Sequence, residues 1–561
     1  MYEASRRRRR RRRIVIVAVT AVLAVAAGGA AAGYLLSRTT PSPRPAAAAY
    51  LAAWQRGDYR AMDRVSTGVP SGGLAAPLTA ASEQLGLRGI RLRLGAVTTT
   101  TNGQARARFT ATADLASGHT WIYQGQLRLV QRGGQWRVAW SPAAIFPGLG
   151  PGERFAQTAA WPPRAQILAA DGTVLSSPAA IAQSGSLALL TGAVVRATAA
   201  EARHLGAPYT AGDQIGLGGI EQAFQRQLAG RPSLTIRIEG PGKRVDATAA
   251  RFPAVPGTPV RTSIVMRDQL AASQAVRSAA TTKPVDVVAL QPSTGRILAV
   301  VERPGGYDRA LQGIFPPGST FKVVTASALA ARGLTPSSTV QCPSQATIGG
   351  RTFHNDNNEH LGTTNLRTAF AISCNTTFAL LASQRLSGSA LAAMAANFGY
   401  NTRPALGIPA TLGAFTVPHT PVDLAADAFG QGTDLVNPLS QAAEVAAIAS
   451  GTWRPPVLVT SPAVRPAGQA ARPRRLPAVI LNTLRPMMRA VVTIGTAAGV
   501  GFPPGVYGKT GTAEYGSGPN PPAHGWFIGY RGDLAFAVLV EGGGFGASSA
   551  GPIANAFLRR A

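Results

Sequence analysis

The chain has 561 residues, 45% of them hydrophobic, so it is long enough for several folded domains with apolar cores and is not a disordered protein. Its 55 basic and 25 acidic residues give a formal net charge of +30. Apart from the tract Arg6–Arg13, the basic residues are scattered and lack interleaved aromatic residues, so no nucleic-acid partner is expected. An anionic cell wall or membrane surface fits this charge better.

Lysine is rare in this chain. Only four of the 55 basic residues are lysines, namely Lys243, Lys283, Lys322 and Lys509. A lysine can lose its proton or act as a compact point charge, whereas an arginine stays protonated. The four lysines are therefore candidate positions for a side chain that transfers a proton or binds an anion as a point charge.

The N-terminus has the pattern of a membrane anchor. The basic tail 1–13 is followed by an uncharged apolar run, Ile14 to Leu36, whose 23 residues would span roughly 34 Å as a helix. Positive charge before this run predicts a cytoplasmic tail, a transmembrane anchor over 14–36 and an extracytoplasmic remainder. The alternative is a cleaved signal peptide, because Ala30 to Ala32 match an A-x-A cleavage site.

An extracytoplasmic location bears on the only two cysteines, Cys342 and Cys374. In an oxidising compartment, a pair 32 residues apart predicts a disulfide that closes a loop, with a stabilisation on the order of 3 kcal/mol. The alternative is a pair of buried thiols. Neither the number nor the spacing of the cysteines indicates a metal site.

The first extracytoplasmic domain is predicted over 45–150. It begins with a helical pattern at 46–65 and continues with alternating apolar and polar residues at 106–115, 121–130 and 135–140, which are typical of antiparallel strands. Helix followed by sheet predicts a small α+β domain shaped like a cone. The segment has no cluster of catalytic residue types, so we interpret it as a spacer or interaction module.

The following segment, 151–257, is rich in proline and glycine and is predicted to be an extended linker domain. From 258 to 561 the patterns are stronger. They predict a helix at 266–280, hairpins at 285–302 and 524–543, and a terminal amphipathic helix. Strands at both ends with helices between them predict one sheet sandwiched by helices.

The first chemical motif is the S-x-x-K pair of Ser319 and Lys322. Pro316 and Pro317 precede a helical run, which places Ser319 at a helix N-terminus and both side chains on one helix face. A serine hydroxyl is a weak nucleophile until a base takes its proton. A neutral lysine can be that base, although neutralising it at pH 7 costs about 4 kcal/mol. For an isolated S-x-x-K, the alternative is an N-cap serine beside a solvated lysine.

Two further motifs follow in order. Ser373-Cys374-Asn375 lies in a helical stretch, and Lys509-Thr510-Gly511 opens the terminal strand region. Each triplet is weak alone, but S-x-x-K, S-x-N and K-T-G in this order are the known signature of serine β-lactamases and penicillin-binding proteins.

In these motifs and their surroundings the chain resembles the penicillin-binding proteins. The resemblance is carried by the segments 307–326, 368–382, 429–443, 508–514 and 524–530. It implies an α/β sandwich for the transpeptidase domain, 258–561, and a monofunctional, class B type, since no glycosyltransferase-like segment lies between the anchor and Ser319. The segments 48–62 and 136–149 are similar to the cone-shaped N-terminal domain of methicillin-resistance-type members.

The resemblance also implies a mechanism, peptidoglycan D,D-transpeptidation. Ser319 would attack the penultimate D-Ala carbonyl of a stem peptide, with Lys322 as the base. Ser373 would relay protons to the leaving D-Ala, and Asn375 would position Lys322 and the substrate amide. No metal or cofactor is expected.

The K-T-G strand would bind the other end of the substrate. Lys509 would supply positive potential for the terminal carboxylate and help to keep Lys322 neutral, while Thr510 and Thr512 would bind that carboxylate. Gly511 would permit close approach of the substrate to the strand. The backbone N–H groups of Ser319 and Thr512 would form an oxyanion hole, worth roughly 3 kcal/mol per donor at similar sites.

The expected partners are stem peptides, β-lactams, the membrane through one helix, and a glycosyltransferase or proteins of division or elongation. Three alternative functions use the same motifs: a D,D-carboxypeptidase, a β-lactamase, and a non-catalytic β-lactam sensor or division scaffold. A β-lactamase needs an added deacylating base, and no E-x-x-L-N-like element follows Ser373. His354 and His360 are interpreted as solvated loop residues rather than metal ligands.

The chain departs from the family pattern at the start of its linker. The signature R-G-x-I-x-D-R-x-G is present only in altered form at Arg164 to Gly172, which leaves partner contacts of that domain open.

Overall fold

The computed structural model describes residues 42–100, 102–356, 359–518 and 520–561. The predicted basic tail 1–13 and membrane span 14–36 lie outside these residues. Within the described ranges, no helix is both long enough and apolar enough to cross a membrane.

The described residues form two compact units. The N-terminal unit comprises 42–160 and 232–254, and the C-terminal unit comprises 161–231 and 255–561.

The N-terminal unit is an α+β domain. Its helices are α1 (Arg44–Arg56), α2 (Tyr59–Arg64) and α3 (Ala75–Leu85). Its strands are β1 (Ser66–Thr67), β2 (Leu87–Thr100), β3 (Gln104–Leu115), β4 (Thr120–Arg132), β5 (Gln135–Ala139), β6 (Arg154–Ala160), β10 (Ser233–Glu239) and β11 (Val245–Phe252). They form a five-stranded sheet in the order β1-β5-β4-β3-β2 and a three-stranded sheet in the order β11-β10-β6.

The long helical pattern at 46–65 is two helices rather than one. Gly57 adopts a left-handed conformation and ends α1, and the side chain of Asp58 accepts a hydrogen bond from the Ala61 N–H (3.0 Å) and caps α2. The predicted strand alternation is confirmed: one face of β3 and β4 is buried with Phe109 and Leu127, and the other face is largely exposed.

The segment predicted as a linker, 151–257, does not form a unit of its own. Its two ends, 151–160 and 232–254, pair as β6, β10 and β11 within the N-terminal unit. Its middle belongs to the C-terminal unit, where β7 (Ile167–Leu168) pairs in parallel with β12 (Val260–Thr262). Strand pairing with distant residues therefore places the two ends of this segment in one unit and its middle in the other.

The C-terminal unit contains the remaining elements. Its helices are α4 (Pro178–Gln183), α5 (Ser186–Thr191), α6 (Ala199–Leu205), α7 (Gly219–Ala223), α8 (Gln225–Ala229), α9 (Met266–Arg277), α10 (Arg309–Gln312), α11 (Lys322–Ala330), α12 (Leu366–Ala371), α13 (Asn375–Arg385), α14 (Gly388–Asn397), α15 (Pro421–Asp427), α16 (Pro438–Ser450), α17 (Ala478–Thr493) and α18 (Ala550–Leu558).

Its further strands are β8 (Ala193–Arg196), β9 (Gln214–Leu217), β13 (Val285–Leu290), β14 (Ile297–Arg303), β15 (Thr339–Cys342), β16 (Gln345–Ile348), β17 (Arg351–His354), β18 (Gly362–Asn365), β19 (Thr452–Trp453), β20 (Val459–Ser461), β21 (Arg474–Arg475), β22 (Val506–Glu514), β23 (Ala523–Arg531) and β24 (Leu534–Val540).

A five-stranded antiparallel sheet in the order β14-β13-β24-β23-β22 is the centre of this unit. Helices α9 and α18 pack on each other and on the sheet, as do α16 and α17. Because helices cover the sheet, β13 and most of β23 and β24 are buried along their length. Strand β22, which begins the last three strands, is an edge of the sheet and carries the K-T-G motif.

A buried ion pair attaches the segment before Ser319 to this sheet. Asp286 on β13 is fully buried, and its Oδ1 lies 3.1 Å from Nη2 of Arg309 at the start of α10. Burial raises the pKa of Asp286 to about 7, which the nearby Arg309 partly offsets. Nε of Arg309 also lies 2.8 Å from Glu541, just beyond β24. The turn that leads to Ser319 is thus held against the sheet at two points.

Candidate active site

Ser319 lies in a single 3₁₀ turn, Gly318–Phe321, that continues directly into α11. This turn places Ser319 and Lys322 on the same side, and Nζ of Lys322 is 2.8 Å from Oγ of Ser319. Ser319 is 8% exposed and Lys322 is fully buried. The pairing predicted from the i, i+3 spacing is therefore present, with the lysine out of solvent rather than on a solvated face.

Two glycines allow the backbone to close around this turn. Gly318 has φ +53° and its N–H donates to the Gly430 carbonyl (3.0 Å). A Cβ on Gly430, which has φ +79°, would lie 1.9 Å from the Gly318 carbonyl oxygen. A side chain on Gly430 would force the Ser319 turn away from the 430–433 loop, and a Cβ on Gly318, 2.4 Å from the Thr512 carbonyl oxygen, would force it away from β22.

Lys322 Nζ contacts oxygen atoms of the S-x-N motif. It lies 2.6 Å from the Ser373 carbonyl, 2.6 Å from Asn375 Oδ1 and 3.2 Å from Ser373 Oγ. The Asn375 amide is oriented by its other end, since Nδ2 donates to the His354 carbonyl (3.2 Å) and to Asp356 Oδ1 (3.3 Å). Its oxygen is thereby turned towards the lysine.

A neutral amine can satisfy this set of contacts. The Ser373 carbonyl and Asn375 Oδ1 accept but cannot donate, so each takes one N–H of Lys322. A neutral amine has two N–H groups and one lone pair, and the lone pair is then left for the Ser319 hydroxyl. Lys322 is positioned to receive the serine proton, as general-base activation requires.

The S-x-N motif lies at a junction and not within a helix, which corrects the expectation of a helical stretch. Helix α12 ends at Ala371 and α13 begins at Asn375. Ser373 between them has φ +68°, a conformation that is uncommon for a residue other than glycine. This conformation gives Lys322 both the carbonyl and the hydroxyl of Ser373.

Lys509 on β22 approaches the same serine from the other side. It is fully buried, and its Nζ lies 2.8 Å from Ser373 Oγ and 2.9 Å from the Thr510 carbonyl. Ser373 Oγ thus lies between the two lysines. The three motifs meet within hydrogen-bonding distance of one hydroxyl group.

The site lowers the pKa of both lysines. Burial lowers the pKa of Lys322 well below its ordinary value, and the positive charge of Lys509 lowers it further. Burial also lowers the pKa of Lys509, to about 7. The negative charge of Asp356 acts in the opposite direction on both groups. Both lysines are therefore shifted towards their neutral forms, and the charge of Lys509 adds to the shift of Lys322.

Thr510 and Thr512 line one wall of the cleft. The Thr510 hydroxyl is 2.7 Å from that of Thr496, a residue that no motif indicated. The Thr512 carbonyl accepts a hydrogen bond from Gln431 Nε2 (3.3 Å), in the segment 429–443 that carried the family resemblance. Both threonines are thus held by neighbours outside the K-T-G strand.

Gly511 also has a packing role. A Cβ at this position would lie 2.9 Å from both the Pro317 carbonyl and Thr320 Cγ2, and 3.0 Å from Trp526 Cβ. The glycine lets β22 lie directly against the Ser319 turn. The predicted close approach of the substrate to this strand stays a prediction.

The cleft has a volume of about 380 Å³ and opens over Ser319. Ser373, Thr496, Thr510 and Thr512 line it on the side of the motifs. The rest of the wall consists of residues that sequence reasoning did not assign: Asn355, Asp356, Glu359, Ile372 and Phe545 to Ser548. Their common feature is their position in loops between weak or short elements, where no periodic signal exists.

The two cysteines, for which a disulfide and free thiols were both open, are joined as a disulfide with Cα atoms 6.2 Å apart. Cys374 directly follows Ser373, and Cys342 ends β15. The Thr376 N–H and the Asn355 side chain connect the same two segments through a 3.0 Å hydrogen bond. The bridge therefore attaches the S-x-N junction to the β15–β17 region.

Among the described residues, His354 and His360 belong to no cluster of side chains that could hold a metal ion. The carbonyl of His354 accepts from Asn375, and His360 is exposed. In the part of the chain that the structure describes, no three residues of the types His, Cys, Asp or Glu are close enough to hold a metal ion.

Comparisons with protein families match this architecture. Residues 286–559 match the family model of the penicillin binding protein transpeptidase domain, and residues 42–153 match that of the NTF2-like N-terminal transpeptidase domain. The two matches fall in the C-terminal and N-terminal units respectively.

Curated relatives are also similar. The chain is 32% identical over 328 residues to the peptidoglycan D,D-transpeptidase PbpA of Mycolicibacterium smegmatis, covering 49% of this chain and 65% of that protein. It is 25% identical over 410 residues to the peptidoglycan D,D-transpeptidase MrdA of Acinetobacter baumannii, covering 61% of this chain and 60% of that protein. The match thus spans slightly less than two thirds of these relatives.

Solved structures share the fold. Pseudomonas aeruginosa PBP2, in complex with WCK 5153, superposes with a TM-score of 0.61 at 24% identity, covering 72% of this chain and 96% of that structure. Helicobacter pylori PBP2, solved in complex with MreC, gives a TM-score of 0.60 at 17% identity over 72% and 98% of the two chains. The two family models match in order along the sequence, so the chain has an NTF2-like N-terminal domain followed by a domain similar to the penicillin binding protein transpeptidase domain.

Proposed function

We propose that this protein is a peptidoglycan D,D-transpeptidase that works through an acyl-enzyme on Ser319. The observation that carries the proposal is the contact set of Lys322: Nζ is 2.8 Å from the nucleophile and 2.6 Å from each of two oxygens that only accept. That set leaves the lysine lone pair for the Ser319 proton.

In the first half-reaction, the Ser319 proton passes to Lys322 as Oγ bonds to the penultimate D-Ala carbonyl carbon. The C–N bond to the terminal D-Ala then breaks, and the leaving amine takes the proton from Lys322 through Ser373 Oγ. This relay is supported by the distances of 2.8 Å and 3.2 Å from Ser373 Oγ to the two lysines. Lys509 attracts the terminal carboxylate, beside the hydroxyls of Thr510 and Thr512.

In the second half-reaction, the amine of another stem peptide attacks the acyl carbon. Its proton returns through Lys322 to Ser319 Oγ, the new C–N bond forms and the Oγ–C bond breaks. The backbone N–H groups of Ser319 and Thr512 would bind the carbonyl oxygen in both halves. The net reaction exchanges one amide bond for another and needs no cofactor.

The proposal includes location and organisation. We assign 1–13 to the cytoplasm, 14–36 to a single membrane anchor and the rest to the extracytoplasmic side, with the NTF2-like domain between anchor and catalytic domain. A β-lactam, which mimics the D-Ala-D-Ala end of the stem peptide, would acylate the same serine. A glycosyltransferase that supplies glycan strands is the expected partner class.

The reaction itself is tested by incubating the purified protein with a stem pentapeptide and a D-amino acid as acceptor amine. We expect mass spectrometry to show exchange of the terminal D-Ala for the acceptor, and no exchange by Ser319→Ala. A product shortened by one residue, without exchange, would instead indicate a D,D-carboxypeptidase. Release of bound penicillin within seconds, slowed by Glu359→Gln at the cleft wall, would indicate a β-lactamase.

The base is tested by Lys322→Arg, which keeps the positive charge but cannot release its proton at neutral pH. We expect its rate of acylation by a fluorescent penicillin to fall by at least roughly 100-fold, as for loss of a general base. Lys243→Arg, at an exposed site in the N-terminal unit, is the matched control and should label normally. Near-normal labelling of a folded Lys322→Arg, judged by thermal unfolding, would contradict the base assignment.

The pH dependence of acylation tests the two lysines together. Below the depressed pKa of Lys322 the base is protonated, so the rate should fall as the pH decreases. Lys509 has a pKa of about 7, so its positive charge, and with it the attraction for the carboxylate of the β-lactam, is lost as pH rises through that value. We expect Lys509→Arg to move the alkaline decline to higher pH. A decline at the same pH in wild type and variant would exclude Lys509 as its cause.

A further inference from the structure

The outer face of the main sheet in the N-terminal unit carries a group of arginines, which we call the basic face. It consists of Arg93 on β2, Arg106 and Arg108 on β3, and Arg128 on β4, all exposed. The opposite face of the same strands is the hydrophobic core of the unit. Strand alternation therefore projects these four side chains to one side, away from the core.

The arginines are close to one another across the strands. Arg106 on β3 is directly opposite Arg128 on β4, and Arg108 lies two positions further along β3 on the same face. Arg93 is opposite Thr110, the next outward residue after Arg108. Like charges in direct cross-strand positions destabilise a sheet. An isolated domain gains nothing from this arrangement.

Among the described residues, the four arginines have no acidic partner. Their neighbour Arg91 is paired with Asp114 at 3.2 Å, but no acidic side chain in the part of the chain that the structure describes lies within ion-pairing distance of the four arginines. Other acidic groups of the unit are engaged elsewhere: Asp63 accepts from the Leu74 N–H, and Glu239 pairs with Arg154. The face is therefore open to an external anion.

The surroundings of the arginines suit a broad interfacial contact. Threonine and glutamine side chains lie between them, and Ile122, beside Thr112 on the same face, is 63% exposed. Guanidinium groups bind phosphate oxygens in pairs, and an exposed isoleucine suits the boundary between headgroups and acyl chains.

The first helix of the N-terminal unit begins next to this face and follows closely after the proposed anchor. Helix α1 begins at Arg44, and Nη1 of Arg44 donates to the Gly95 carbonyl on β2 (3.3 Å), the strand that carries Arg93. Only residues 37–43 separate the predicted membrane span from this point. Seven residues cover at most about 25 Å when fully extended. The basic face is therefore within reach of the outer leaflet.

We propose that the basic face docks on the headgroups of anionic phospholipids in the outer leaflet of the membrane that holds the anchor. The inference rests on the anchorage proposed above and goes beyond the transpeptidase reaction. The argument for lipid over a wall polymer is position, because the tether confines the face to the membrane surface. Docking would fix the orientation of the NTF2-like domain relative to the bilayer.

The test uses the full chain in lipid nanodiscs. Because both native cysteines are in the disulfide, Ile122→Cys introduces the single free thiol for a fluorophore. Thr79→Cys, exposed on α3, is the matched control on the helical layer. We expect a headgroup-bound quencher to quench the Ile122→Cys probe at least about twofold more in phosphatidylglycerol discs than in phosphatidylcholine discs, and high salt to remove the difference.

A second variant replaces Arg93, Arg106, Arg108 and Arg128 by Gln. We expect it to lose the lipid-dependent quenching, to unfold at no lower temperature, and to be acylated by penicillin at the wild-type rate, since the face is remote in sequence from the catalytic motifs. Thermal unfolding shows whether the variant is still folded, and acylation shows whether its active site is intact. A loss of quenching with both unchanged can then be assigned to the basic face.

Quenching that is equal in both lipids, or that survives the four substitutions, would overturn the proposal. Binding of soluble poly(glycerol phosphate) through the arginines, without lipid-dependent quenching, would also overturn it and assign the face to a wall polymer. If the chain fails to insert into discs, the proposed anchor is wrong. The same quenching measurement on added discs then still reports whether the face itself binds anionic lipid.

Discussion

The active site depends on the position of one nitrogen atom, Nζ of Lys322. It is buried, 2.8 Å from the Ser319 hydroxyl, and its other close neighbours at 2.6 Å are two oxygens that cannot donate. Removing an ammonium group from water disfavours its charged form, and the second lysine nearby disfavours it further. The same burial that costs stability for a charged lysine thus favours the neutral form that the proposed base requires.

The rest of the C-terminal unit can be understood as support for that position. The 3₁₀ turn is held by the Gly430 loop, the S-x-N junction by the Cys342–Cys374 bridge, and β22 by its register with β23. Arg309 fixes the segment before Ser319 to the buried Asp286. Each of the three motifs reaches the site from a different element, so the site is complete only when the sheet and its helices are packed together.

Short-range patterns predicted much of this. The i, i+3 spacing of Ser319 and Lys322, the strand alternation of β3 and β4, and the hairpin of β13 and β14 are local features, and the structure has them. The order of the three motifs led to the family, which the domain matches support. The scarcity of lysine in the sequence indicated two residues of the site, Lys322 and Lys509.

Features that depend on distant parts of the chain were not predictable in this way. The pairing of β6 with β10 joins segments about 80 residues apart and divides the predicted linker between the two units. Thr496 and Asp356 reach the cleft through loops without periodicity. The role of Gly511 follows from contacts with Pro317 and Thr320, which only the folded chain brings together.

The rarity of lysine also permits a direct measurement of the central claim. With ¹³C- and ¹⁵N-labelled lysine the protein has four lysine side-chain signals, and single Lys→Arg variants assign them. Titration by NMR should show Lys322 gaining its proton at a pH well below that of an ordinary lysine, and Lys509 titrating near pH 7. A Lys322 signal that stays protonated through neutral pH and titrates near its ordinary value of about 10.4 would contradict the assignment of Lys322 as the base.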